Sequence, residues 1–179
     1  MRHHRHPGLA GRLTPGADEL VPHPDAERDD AVLTWFPVAT PGAREVDALE
    51  GLLCVPTRAG AMRIVAVPHV VEGLALGDEV AVADWEGEPM ARGELAMSLD
   101  GTVRCVAAEG RDWRWLARLV DDAAGGIGTC WFDAIGDSAL AASVPRASLA
   151  TVFAALTVAS NTGELRWEYV TTARHGDGT

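Results

Sequence analysis

Glu50, His69, Asp78, Ser98 and Thr102 stand as polar residues among apolar runs, and together they hold the side chains of an acid–base or nucleophilic centre. A carboxylate orients or deprotonates, an imidazole exchanges a proton near neutral pH, and a hydroxyl attacks an electrophile once its own proton is taken. Each acts only within hydrogen-bond reach of the next, a demand on the fold rather than on spacing. Local context argues for quieter roles. Ser98 does not lie in a G-x-S-x-G elbow. Asp78 follows Gly77 just ahead of an apolar run, where an aspartate closes a turn by bonding to the local backbone. Thr102 fits an ordinary strand position. His69 and His175 are the two histidines beyond residue 30. The valines around His69, at 67, 70 and 71, predict that its side chain does not meet Glu50, Asp78 or another polar group in a solvent-reachable cavity. His69, Glu50, Asp78 and Ser98 are therefore weak catalytic candidates, and the chain leans away from being an enzyme.

A second constellation is electrostatic. Residues 72–100 include eight acidic residues and one basic residue, Arg92. Asp84, Glu86 and Glu88 flank Trp85 without the D-x-[DN]-x-[DN]-G pattern of a calcium loop, so no metal is expected there. Such a field steers association with a basic partner and rejects acidic competitors. The three carboxylates are expected to act as surface charge, so that replacing all three with serine leaves the fold as stable or slightly more so while slowing association with the partner. Trp113 and Trp115 lie two apart at the start of a predicted helix and point in different directions. One of them is expected to be exposed or semi-exposed, in a partner-binding set of Asp84, Trp85, Glu86, Glu88, Trp113 and Trp115.

Composition removes several chemistries. All 15 basic residues are arginine, and against 26 acidic residues the net charge is −11. Without lysine there is no Schiff-base residue and no GK[ST] phosphate loop. The acidic balance opposes nucleic-acid binding. Gly125-Gly126-Ile127-Gly128 follows a predicted helix and precedes a strand, the reverse of a dinucleotide-binding turn, and no cofactor is expected. His3, His4 and His6 cluster without a carboxylate or cysteine partner nearby, so no metal site is expected. Cys54, Cys105 and Cys130 are odd in number, widely spaced and set in apolar surroundings, and read as buried thiols in a reducing compartment. No apolar run near the first residues suits a signal peptide, and the longest uncharged stretch, 147–163, is too short and polar to cross a bilayer. A soluble, cytoplasmic protein is expected.

The elements that must position these residues follow from periodicity. Residues 1–30, rich in proline and opposed charges, read as a disordered tail. Apolar runs at 32–38, 51–55, 62–67, 79–84 and 89–97 read as strands of a small antiparallel β-barrel over 31–100, the last two joined across Trp85 to Glu88. Trp35, Trp131 and Trp167 fall inside predicted strands and read as core. Residues 102–107, 112–124, 129–134, 139–144, 148–160 and 165–171 read as strand, helix, strand, strand, helix, strand. That order over 101–173 is the ferredoxin-like split β-α-β pattern, with 174–179 a flexible end. The fold class is α+β.

Glu50-Gly-Leu-Leu, Val67-Pro68, Gly73-Leu-Ala-Leu-Gly-Asp-Glu-Val80, the stretch from Ser98 to Arg104, and Ala141-Ala-Ser-Val-Pro145 together resemble the bacterial family called domain of unknown function 4265. The resemblance runs from about Val32 to Val170 and implies a cytoplasmic protein, without an activity to carry over. Where the family has a tryptophan shortly after its glutamate, this chain has Leu52-Leu53. Where it has an asparagine two before its proline, this chain has Ala66, and where aromatic residues follow, it has His69-Val70. The leading expectation is a binding or regulatory protein, inhibitor- or immunity-like, with a basic protein partner. The alternative is a small hydrolase or tailoring enzyme using His69 with Glu50 or Asp78 in a cleft between the two halves. Sequence leaves the oligomeric state open.

Overall fold

The computed structural model describes residues 2–5, 10–16, 19–38, 48–57 and 60–170, with the side chains of 2–5 and of Glu94 left aside. The expectations for the histidine cluster and for residues 174–179 lie outside what is described. The fold is α+β: a closed five-strand barrel and a separate antiparallel sheet carrying two helices.

The barrel begins with β4 (Val32–Val38), preceded in the chain by β1 (Arg2–Arg5), β2 (Gly11–Arg12) and β3 (Val21–Pro22). β4 pairs antiparallel with β5 (Ala48–Pro56), Trp35 opposite Gly51. A Cβ at position 51 would sit 3.0 Å from the Trp35 ring and 3.1 Å from Leu33, so the indole lies flat only because residue 51 is glycine. β5 continues onto β6 (Met62–Ile64), which pairs with β7 (Glu79–Trp85), which turns into β8 (Glu88–Ala96). One parallel position, Trp35 with Met90, closes the ring. Phe36, Leu52, Cys54, Ile64 and Val80 alternate inward and fill it.

The second sheet has the strand order β12–β9–β11–β10–β2–β3, with β9 Asp100–Ala107, β10 Trp131–Ile135, β11 Ala139–Pro145 and β12 Leu165–Tyr169. Helices α1 (Trp113–Ala124) and α2 (Leu149–Asn161) cover one face, packing Leu116, Val120, Val152 and Leu156 on Val103, Cys105, Leu140 and Val144. Asp112 caps α1 by accepting the Trp115 N–H at 3.0 Å, and Gly125, at φ 124°, ends it. Alternation sends Thr102, Arg104, Trp131, Asp133, Ala141 and Ser143 to the opposite face, in register with one another. There Ala141 and Trp131 meet Val67 and Leu76 of the barrel's long loop, together with Ala10.

Two expectations are corrected, for the first thirty residues and for the tryptophans read as core. The disordered tail does not hold for the described residues of 1–30. β1 pairs with β5, β2 pairs with β10, and Ala10, Leu13 and Ala26 are buried, because each stray apolar residue finds a gap in a core built by the rest of the chain. Trp113 and Trp115 are both half-buried against the helix–sheet core, with Arg114 stacked 4.5 Å over the first ring and Arg111 4.1 Å over the second. An indole at a helix edge is large enough to reach a core from either side. Trp35 is buried as expected, but Trp131 and Trp167 are half-buried, and Trp131 is sandwiched by Arg12 at 3.7 Å and His23 at 4.4 Å. No helix among the described residues is long and apolar enough to cross a membrane.

Candidate functional site

The polar residues singled out by sequence converge on one loop, 65–78, that runs between the barrel and the second sheet. Glu50, projecting from β5, is wholly buried. One carboxylate oxygen accepts the His69 N–H at 2.7 Å, and the other accepts Val70 N–H at 3.0 Å and Val71 N–H at 2.6 Å. Three consecutive backbone donors thus share one carboxylate, an arrangement that compensates a buried negative charge and fixes the loop. Arg104 on β9 donates to the Val71 carbonyl at 2.9 Å and to Glu168 at 3.1 Å. Thr102 Oγ1 donates to the Leu74 carbonyl at 3.1 Å. Asp78 accepts the Ala75 N–H at 2.7 Å and the Ser98 N–H at 2.5 Å. Burial pushes its pKa up, against the pull of these two backbone bonds. The Ser98 hydroxyl oxygen accepts the Asp100 N–H at 3.4 Å, and its side chain also hydrogen-bonds Asp78.

His69 is the point of contact with the second sheet. Its side chain is 8% exposed, and Nε2 lies 3.5 Å from Oδ2 of Asp133, itself 3% exposed. The expectation was that His69 meets no polar group in a solvent-reachable cavity; the carboxylate it does meet lies in a closed seam, where both side chains are buried. Glu50 reaches only the His69 backbone, and Asp78 bonds elsewhere. The cleft triad of His69 with Glu50 or Asp78 is not assembled.

At the acidic hairpin, Asp84, Glu86 and Glu88 are exposed, while Trp85 is half-buried against Trp35, Leu49 and Met90. The turn is two residues, Glu86 at φ 55° and Gly87 at φ 88°. Both positive angles suit a type I′ turn, where asparagine or glycine is the usual first residue. Glu86 is the described non-glycine residue with positive φ, a strain of about 1 kcal/mol. Glu88 accepts a hydrogen bond from the Trp35 indole N–H. The expectation that all three carboxylates act as surface charge is corrected for Glu88, which also holds a core tryptophan. The partner set is likewise split, since Trp113 and Trp115 belong to the helix–sheet core and Trp85 to the barrel.

The fold has a solved counterpart. A crystal structure of a hypothetical protein from Neisseria gonorrhoeae is similar with a TM-score of 0.65 and 16% identity, over 80% of this chain and 96% of that one. At that identity the likeness speaks for the fold alone. No protein-family model matches the chain, and no curated protein matches it.

Chemically, the loop assembly is a clamp: side chains from both halves satisfy the backbone of a buried irregular segment that would otherwise leave donors and acceptors unpaired. Three surface cavities are lined elsewhere, two along β9 and β12 and one at the barrel wall, and none of these includes Glu50, His69, Asp78, Ser98 or Asp133. Among the described residues no three histidine, cysteine or acidic side chains converge to hold a metal. Two buried carboxylates escaped the sequence reading. Asp133 sits on the sheet face shared with Trp131, and an acidic residue at an inward strand position was the available signal. Asp121, on α1, accepts the Gly128 N–H at 2.8 Å and the Cys130 N–H at 2.9 Å, folding the glycine-rich loop onto the helix. Burial pushes the Asp121 pKa up and the thiols of Cys54 and Cys105 up to about 12.

Proposed function

We propose that the chain is a non-catalytic binding or regulatory protein, inhibitor- or immunity-like, that presents an acidic surface to a basic protein partner. The observation that carries this reading is a division of labour among the carboxylates. Glu50 and Asp78 are buried and occupied with backbone N–H groups, whereas Asp84 and Glu86 are exposed at the tip of a hairpin, Asp84 accepting the Gly87 N–H at a long 3.4 Å, and take part in no ion pair among the described residues. Glu86 moreover occupies a turn position where asparagine or glycine would be more stable, and a charge kept at a strained site points to use at that site. The test is the association rate of a partner recovered from the native host, compared between the wild type and Asp84→Asn/Glu86→Asn, which spares Glu88. Loss of two charges slows association at low salt without lowering the thermal midpoint.

The 3.5 Å approach of His69 to Asp133 supports a second reading, a small hydrolase or tailoring enzyme. It requires the seam to open. Amide exchange at residues 69–71 faster than global unfolding would be its sign. Two finer assignments belong with these proposals. The ferredoxin-like reading of the second half is supported by the order β12–β9–β11–β10, antiparallel throughout, with a helix in each crossover. Membership of the domain of unknown function 4265 family, and with it a cytoplasmic location, rests on the segments quoted above, whose residues Glu50, Asp78, Thr102 and Arg104 are those of the loop clamp.

A further inference from the structure

The barrel closes most thinly, among the described residues, between β4 and β8. These strands run parallel and pair at one position, Trp35 with Met90. Beyond it, β8 continues to Ala96 bonded to β7 on one side, through Val82–Ala91, Val80–Glu94 and Glu79–Ala96, with no strand among the described residues paired to its other side. The gap holds a cavity of about 280 Å³ walled by Phe36 of β4, Val80 of β7 and Ala91 and Gly93 of β8, with the exposed Glu72 and Arg92 at its lining. Phe36 and Val80 are barrel-core residues, so the cavity reaches the core. Past it, Leu95 of β8 and Met97 and Leu99 beyond its end are 61%, 49% and 72% exposed, an apolar patch in a run where Ala96 is exposed as well.

We propose that this edge receives an extended segment of a basic partner as an added strand, with one apolar side chain in the cavity and arginine or lysine side chains against the acidic residues of 72–100. The inference rests on the acidic-surface reading and names how the partner is held. A strand edge that is unpaired among the described residues offers N–H and C=O groups that another extended chain satisfies in series. The cavity is just under the roughly 300 Å³ at which small-molecule sites begin, a size suited to a side chain. Charge selects the occupant. Eight acidic residues against Arg92 in this stretch favour a basic segment, and a second copy of a chain of net charge −11 would bring like fields together.

The probe is a synthetic peptide of alternating arginine and valine, compared with a version carrying glutamate for arginine and one with a central proline. Binding is followed by amide shifts of the isotope-labelled full chain, wild type and Gly93→Leu. Position 93 has no positive φ, and a Cβ there meets nothing within 4 Å, so leucine adds bulk at the cavity's rim and along the strand edge without straining the backbone, which an unchanged thermal midpoint checks. The expected result is shifts at residues 91–96 with the arginine peptide, and a loss of affinity of about tenfold with Gly93→Leu or the central proline. Shifts confined to the Asp84–Glu88 turn and indifferent to Gly93→Leu would overturn the strand addition while leaving the acidic surface standing. Equal binding of the glutamate peptide would overturn the basic partner and the acidic-surface reading with it. No binding at roughly millimolar peptide, or a dimer in sedimentation that Gly93→Leu dissociates, would also overturn the inference.

Discussion

Replacing Glu50 by glutamine changes one oxygen of a buried carboxylate into an NH2 group and removes the charge. In the native clamp, one oxygen serves His69 N–H and the other serves Val70 and Val71 N–H. Glutamine retains most if its remaining oxygen faces the pair at 70–71, which leaves the His69 N–H opposed by an amide donor. One charge-assisted bond is then lost and one buried donor stranded, and the two surviving bonds weaken to neutral strength, a cost of about 2–4 kcal/mol. For a chain of this size each kcal/mol moves the midpoint by roughly 2–4 °C, so Glu50→Gln should melt roughly 5–15 °C below the wild type. Differential scanning calorimetry with a parallel urea titration measures it. A midpoint within about 2 °C of the wild type would show that the clamp does not bear on stability, and would return Glu50 to the pool of groups free for chemistry.

Deleting residues 1–29 removes the buried Ala10, Leu13 and Ala26 and the strands that pair with β5 and β10, so the midpoint should fall on the order of 10 °C; an unchanged midpoint would show that these contacts are dispensable. Burial raises the Asp78 pKa above 3.8, so this group favours the fold below about that pH, and the contribution is lost as pH rises through the higher folded value. The urea stability of the wild type minus that of Asp78→Asn should therefore decline between acid and neutral pH, and a difference that grows over that range would contradict the assignment.

Where the chain repeats a pattern, the elements were legible. The helix read at 112–124 is α1 at Trp113–Ala124, and the hairpin read across residues 85–88 turns at Glu86-Gly87, because capping, glycine punctuation and alternation act locally. The first thirty residues were not legible for the opposite reason. Ala10, Leu13 and Ala26 are single apolar residues between prolines and charges, and the surface that buries them is made by distant segments. Glu50, Asp78 and Thr102 stood out as polar residues in apolar runs, and they do converge on one loop. Their targets are backbone groups, which look the same at every position, so the sequence offered side-chain chemistry where the fold uses hydrogen-bond capacity. Asp133 shows the complement: its partner His69 lies on a loop of the other half, and no local pattern announces such a pair.

The central claim, that exposed charge at the hairpin tip recruits a basic partner, is tested most directly by stopped-flow association of the partner recovered from the native host, over a series of salt concentrations. The wild-type rate should fall steeply as salt rises, and Asp84→Asn/Glu86→Asn should be slower by on the order of tenfold at low salt, converge with the wild type at high salt, and melt no lower than the wild type because asparagine relieves the positive φ at position 86. A salt-independent association rate, identical in the wild type and the double variant, would contradict it.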